Sequence, residues 1–173
     1  MKYIDTALGQ LAFAWKLYNY ALDGNIDLAK LDIALTFQEG HQVLALPDRV
    51  FESQDDLVIA TENNLVIAFG AAAITLNRCR EEFGLRLNDP IVTEEDQFAA
   101  VVYQIRNAFA HDISEPRWNI TNPRYVRAYN IGGIKIDLSN VGDKQFEYAD
   151  IGGPDVMFAL KDFGDQRVWF RNA

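Results

Sequence analysis

Arg106, Asn107 and His111 lie in the stretch Gln104-Ile105-Arg106-Asn107-Ala108-Phe109-Ala110-His111-Asp112, where an arginine, an amide and one of only 2 histidines interrupt an apolar helical pattern. Together these side chains suit cleavage of a phosphodiester without a metal. An imidazole changes charge in the physiological range, so it can take a proton from a ribose 2′-hydroxyl or give one to a leaving oxygen. A guanidinium can hold the charge that builds on phosphate oxygens in the transition state, and an amide can orient either group. One histidine cannot serve as base and acid together without help.

The helix that must carry these residues is predicted from Glu94 to His111, opened by Thr93 with Asp96 in a capping box that uses a shorter acid. At about 100° per residue, with Phe98 at zero, Val102, Ile105 and Phe109 fall within about 40° of it and form the expected core stripe. Tyr103, Asn107 and His111 fall opposite, at about 140°, 180° and 220°, with Arg106 on the flank at about 80°. A merely solvated face would carry glutamate and lysine, as at Glu94 and Glu95. Because the polar stripe is expected to point off the subunit, a two-fold dimer would bring two copies of Arg106, Asn107 and His111 into one cleft.

The rest of the chain must frame that helix. Leu8, Leu11, Ala12, Trp15 and Tyr18 repeat at helical spacing between Thr6 and Leu22, and Gly24 stops the run. A short helix is predicted from Asp27 to Phe37, closed by Gly40, followed by a loop that carries His41 and is marked by Pro47. Ser53 reads as an N-cap, with Asp55 and Asp56 in the first turn of a helix reaching Phe83 before Gly84. Asn88-Asp89-Pro90 is a turn. After Pro116 short β-branched and aromatic segments, Tyr125 to Tyr129, Ile134 to Leu138, Lys144 to Tyr148 and Arg167 to Phe170, alternate with glycine turns and read as strands. Pro154 introduces one short helix, Asp155 to Phe163. The expected fold is mainly α: a single domain over 1–173, with a helical bundle over 1–115 and a β-rich C-terminal appendage over 119–173, an antiparallel segment with one short helix.

Composition narrows the function. With 173 residues and 49% hydrophobic content the chain can bury a real core, so disorder is not expected. A net charge of -9, from 25 acids and 16 bases, argues against a broad basic face for nucleic acid and leaves only local contact. One cysteine, Cys79, excludes multi-cysteine zinc patterns, no glycine-rich phosphate loop is present, and neither a metal nor a cofactor is expected. The start, Met1-Lys2-Tyr3-Ile4-Asp5, lacks a signal-peptide apolar run, which makes the cytoplasm the expected location. The longest apolar run, from Leu65 to Leu76, is shorter than the roughly 20 residues that span a bilayer, so no membrane anchor is expected. Such a run must be covered by its own chain or by a second subunit.

Arg106-Asn107 followed by His111, late in a long helix of a helical N-terminal region, resembles the R-x4-6-H motif of the HEPN superfamily (higher eukaryotes and prokaryotes nucleotide-binding domains). In that family a polar residue directly after the arginine is usual, and Asn107 supplies it. The resemblance implies a metal-independent RNase whose paired motifs meet at a homodimer interface, in a toxin–antitoxin or phage-defence setting, with an antitoxin or other regulatory protein as partner. It implies Arg106, Asn107 and His111 as catalytic residues. Some toxin members carry a tyrosine two residues after the histidine, the target of adenylylation, whereas this chain has Ile113. The alternative is a non-catalytic module of the same fold that binds nucleotide or protein and merely keeps the motif.

Other residues are weighed against plainer roles. Tyr103, Arg117, Arg124 and Arg127 are candidate substrate contacts, the arginines forming the one locally basic stretch, although arginines along a strand surface explain them equally well. Trp118 and Tyr125 could stack on bases, but packing is the better reading. Glu62, Asn63 and Asn64 fit solvated helix better than support for the site. His41 reads as a loop histidine, with no metal set beside it, and Cys79 as a plain helical cysteine.

Overall fold

Helical spacing of apolar residues, with acids at the helix starts, dominates the chain, and the computed structural model is accordingly mainly helical, at 57% helix against 10% strand. It describes residues 2–31, 36–45 and 50–169. The order is α1 (Lys2–Leu22), α2 (Leu28–Leu31), β1 (Thr36–Glu39), β2 (Gln42–Ala45), α3 (Gln54–Glu82), α4 (Glu94–Ala108), β3 (Ala128–Ile131), β4 (Ile134–Asp137) and α5 (Val156–Gly164). The chain divides into two compact units, one of residues 1–11 and 66–173, the other of residues 12–65.

In the first unit α4 is the organising element. Its capping box is formed: the Asp96 amide donates to Thr93 Oγ1 (3.1 Å) and the Thr93 amide to Asp96 Oδ2 (2.8 Å). Asn88 Nδ2 donates to Asp96 Oδ1 (2.7 Å) and the Val92 amide to Oδ2 (3.1 Å). Burial pushes the Asp96 carboxyl up, but these donors outweigh it and hold its pKa at about 2. Phe98, Val102, Ile105 and Phe109 are all buried, as the wheel requires. The antiparallel hairpin of β3 and β4 is tied to the same helix, with the Asn130 amide donating to Gln97 Oε1 (2.8 Å) and the Gly132 amide to Glu94 Oε1 (3.1 Å). Phe69, Phe109, Phe146, Tyr148 and Trp118 form one aromatic cluster, with neighbouring centroids 4.9–5.7 Å apart.

The second unit holds the hairpin of β1 and β2, with Gly40 at φ 60° and His41 in the turn between them. Leu57, Leu65, Ala14 and Ala21 are buried there, and Gln54 Nε2 donates to the Ala21 carbonyl (3.2 Å).

Several expected elements take other forms. Of the helix expected from Asp27 to Phe37 only Leu28–Leu31 is helical; Thr36–Glu39 is a strand paired with Gln42–Ala45, and 32–35 lie outside the described residues, as does Pro47. Left-handed Gly40 supplies the turn that lets the β-prone flanks pair instead. Tyr125 closes a 3-10 turn (Pro123–Tyr125), and the strand begins only at Ala128. Lys144 to Tyr148 is an extended connection held by one bridge, Arg117 to Gln145, and leads into a 3-10 turn, Tyr148–Ile151. Arg167 and Trp169 belong to a π turn, Asp165–Trp169, that prolongs α5; Phe170 lies outside the described residues. Gly164 makes that turn feasible, since a Cβ there would meet the Trp169 ring at 2.5 Å.

α3 contains the apolar run and extends it to 29 residues, long and apolar enough by length and composition to cross a membrane. The core helix of a soluble protein passes the same test, and Phe69, Ala72, Ala73 and Leu76 are core. Ile67, Ala71 and Ile74 lie exposed along its other side.

Candidate functional site

α4 ends at Ala108, short of His111, because the Ala108 carbonyl that a continuing helix would offer to the Asp112 amide accepts instead from the Arg117 amide (2.9 Å). The last turn tightens, with the Phe109 and Ala110 amides bonding the carbonyls of Arg106 and Asn107 (both 3.2 Å). Asp112 then fixes the exit turn: its Oδ1 accepts from the Ser114 hydroxyl (2.7 Å) and from the amides of Ser114 (2.8 Å) and Glu115 (3.0 Å), which lowers its pKa. His111 is therefore presented from an ordered exit turn and is exposed, not placed on the helix face as the wheel predicts.

Packing from α3 holds this turn in place. A Cβ at Gly70 would stand 2.7 Å from both Ile113 Cγ1 and Phe109 Cδ1, so only glycine lets the exit turn sit this close to the helix. Ile113 is half-buried over that glycine.

Arg106 is half-buried and donates from Nη1 to Asn107 Oδ1 (3.1 Å). It makes no ion pair among the described residues, although the chain carries nine more acids than bases (25 against 16). The bond to Arg106 uses the Asn107 carbonyl and leaves its NH2 group without a protein partner among the described residues.

Two cavities flank the end of α4. The first, about 390 Å³, is lined by His111 with Asp112, Glu115, Arg117, Asn119 and Asp143, over Ala108 and Trp118. Arg117 Nη2 is spent on the Asp143 carbonyl (2.9 Å). The second, about 300 Å³, is lined by Tyr103, Gln104, Asn107, Asn119, Thr121, Asn122, Arg124, Tyr125 and Leu87. Residues of the 119–125 segment thus face Tyr103 and Asn107 across a cavity, with the Tyr103 and Tyr125 rings 5.9 Å apart, so that part of the polar stripe is flanked by its own chain while His111 stays exposed.

Of the sequence-predicted residues, Asn107, Tyr103 and Arg124 come together in the second cavity, and His111 and Arg117 in the first. Arg106 joins Asn107 by its hydrogen bond. Arg127 stands apart, donating to the Ile91 carbonyl (3.3 Å) beside the Tyr129 ring. Arg124 lies over the Tyr125 ring, bonds its hydroxyl and pairs with Asp89 (3.4 Å). Trp118 and Tyr125 are packing residues, 1% and 4% exposed, and Trp118 Nε1 donates to Asp150 Oδ2 (2.8 Å). Burial opposes ionisation of Asp150, but Lys144 (2.7 Å) and Trp118 hold its pKa low.

Sequence reading missed Gln104, Asn119 and Asn122, and also Arg80. Gln104 is an amide inside the mostly apolar stretch from Phe98 to Ile105, and Asn119-Ile120-Thr121-Asn122 is a short amide-rich run, both visible signals. Arg80, only 5% exposed, is held by Asn77 Oδ1 (2.9 Å), the Leu85 carbonyl (2.6 Å) and Glu81 (2.9 Å), close enough to Tyr103 and Tyr125 to interact with them electrostatically. Among the described residues no group of three or more His, Cys, Asp or Glu side chains is placed to hold a metal ion. Comparison of the chain with protein-family models, with curated proteins and with solved structures returned no match.

Proposed function

We propose that the protein is a metal-independent endoribonuclease of HEPN type. The observation that carries this reading is an arginine with no carboxylate partner among the described residues of an acidic chain, bonded to Asn107 one residue on, with an exposed histidine on the turn that follows. A half-buried guanidinium with no ion pair among the described residues is free to bind an anion, and a scissile phosphate is such an anion. In this mechanism Arg106 stabilises the charge on the phosphate oxygens, Asn107 holds the guanidinium and offers its free NH2 group, and His111 moves the proton of the 2′-hydroxyl or of the leaving oxygen.

A second copy of the chain supplies the other histidine. The exposed Ile67, Ala71 and Ile74 on α3 give that copy an apolar surface to cover. The setting is a cytoplasmic toxin–antitoxin or defence system in which an antitoxin or other regulatory protein holds the enzyme in check. A second reading, a binding module without catalysis, is favoured by the three carboxylates around His111, which repel an RNA backbone. Incubating the purified protein with RNA in EDTA separates the two. Cleavage by the wild type and none by His111→Ala supports the nuclease; intact RNA in both supports the module.

A further inference from the structure

We propose that the cavity between α4 and residues 119–125 is a nucleobase-binding site that sets which nucleotide lies beside Asn107. The inference rests on the RNase reading for its role in specificity, but the binding it asserts stands on its own observations. Gln104 is 3% exposed and its Oε1 has no hydrogen-bond partner, a buried acceptor left unsatisfied in the wall of a cavity. In the same wall Arg124 Nε is a buried donor without a partner, although the rest of that guanidinium is engaged. Leaving such groups unpaired costs free energy, and two of them, one acceptor and one donor, belong to residues of a single cavity wall, which a complementary ligand would satisfy together.

The ligand must offer a donor to Gln104 Oε1 and an acceptor to Arg124 Nε, on a body small enough for about 300 Å³. The edge of a nucleobase carries both, as N–H or exocyclic NH2 groups beside ring nitrogens or carbonyls. Asn119 adds a further amide, and the rings of Tyr103 and Tyr125 give the cavity apolar wall. Among the described residues no carboxylate lines it, in contrast to the cavity around His111. Asn107 lines the same cavity, so a nucleotide whose base is seated there has its ribose and phosphate next to the Asn107 and Arg106 pair.

The test is direct binding of AMP, GMP, CMP and UMP, with ribose 5-phosphate as the baseless control, measured by calorimetry on the wild type and Gln104→Leu. At least one nucleotide is expected to bind while ribose 5-phosphate does not. Gln104→Leu should weaken that binding roughly tenfold to a hundredfold while leaving thermal stability equal or higher, because the acceptor it removes has no partner to lose. Nucleoside monophosphates carry no phosphodiester to cut, so the base site can stand even where no cleavage is found. Failure of every nucleotide to bind at millimolar concentration, equal binding of ribose 5-phosphate, or unchanged affinity in Gln104→Leu would each overturn the proposal, and none of these results bears on whether RNA is cut in EDTA.

Discussion

The two cavities at the end of α4 share Asn119 and differ in almost everything else. Around His111 stand Asp112, Glu115 and Asp143, and the one arginine there is spent on a backbone carbonyl. Around Asn107 stand amides, tyrosines and Arg124, with no carboxylate among the described lining residues, although Arg124 pairs with Asp89 behind the wall and buried Arg80 nearby pairs with Glu81. In a chain of net charge -9 the second is where an anionic strand meets least repulsion, while the first offers an imidazole and little to hold a phosphate. In the proposed nuclease, grip on the phosphate and proton transfer would fall to neighbouring cavities, with Asn119 in the wall of both.

That division is broken most completely at His111. His111→Ala should abolish cleavage at every pH without unfolding the protein, since the side chain is exposed. Arg106→Ala should follow, with a loss of ~10²–10³ in rate as one charge-stabilising donor is removed. Asn107→Ala should cost less, because water can replace part of an orienting amide. Single-turnover cleavage of a labelled RNA at saturating enzyme ranks the three.

Stability separates the frame from the chemistry. Gly70→Ala forces a methyl group against Phe109 and Ile113 and should destabilise the chain by about 1–3 kcal/mol in denaturant titration, lowering activity with it because the turn carrying His111 shifts. Asp96 has a depressed carboxyl, so its contribution is present above the unfolded value near 4 and is lost as pH falls through about 2. Acid titration of the wild type should show that loss between about pH 4 and pH 2. Asp96→Asn should be less stable by about 1–2 kcal/mol at neutral pH and should lack this part of the acid dependence. The smallest effect sharpens the contrast of charge: Glu115→Gln should tighten RNA binding about two- to fivefold at low salt, an effect that fades as salt screens it.

Periodicity made α1, α3 and the core stripe of α4 legible, and the Thr93–Asp96 box marked the start of α4 to the residue. The end of α4 was not legible, because it depends on the Arg117 amide capturing the Ala108 carbonyl, a contact set by where the later chain packs. The same limit hid the residues facing Tyr103 and Asn107, which come from the 119–125 segment. The hairpin at Gly40 could have been read locally, since a glycine with β-prone residues on both sides is a turn signal as well as a helix stop. Arg106, Asn107 and His111 stood out by residue type; that Asn107 and His111 line separate cavities could only come from the folded chain.

The central claim, that Arg106, Asn107 and His111 cleave RNA by attack of the 2′-hydroxyl, is tested most directly with one pair of substrates in EDTA: an RNA oligonucleotide and the same sequence 2′-O-methylated throughout. Wild-type protein is expected to cut the first and leave the second intact, and His111→Ala to cut neither. Equal cutting of the methylated strand, or cutting of RNA that appears only when magnesium is restored, would contradict it.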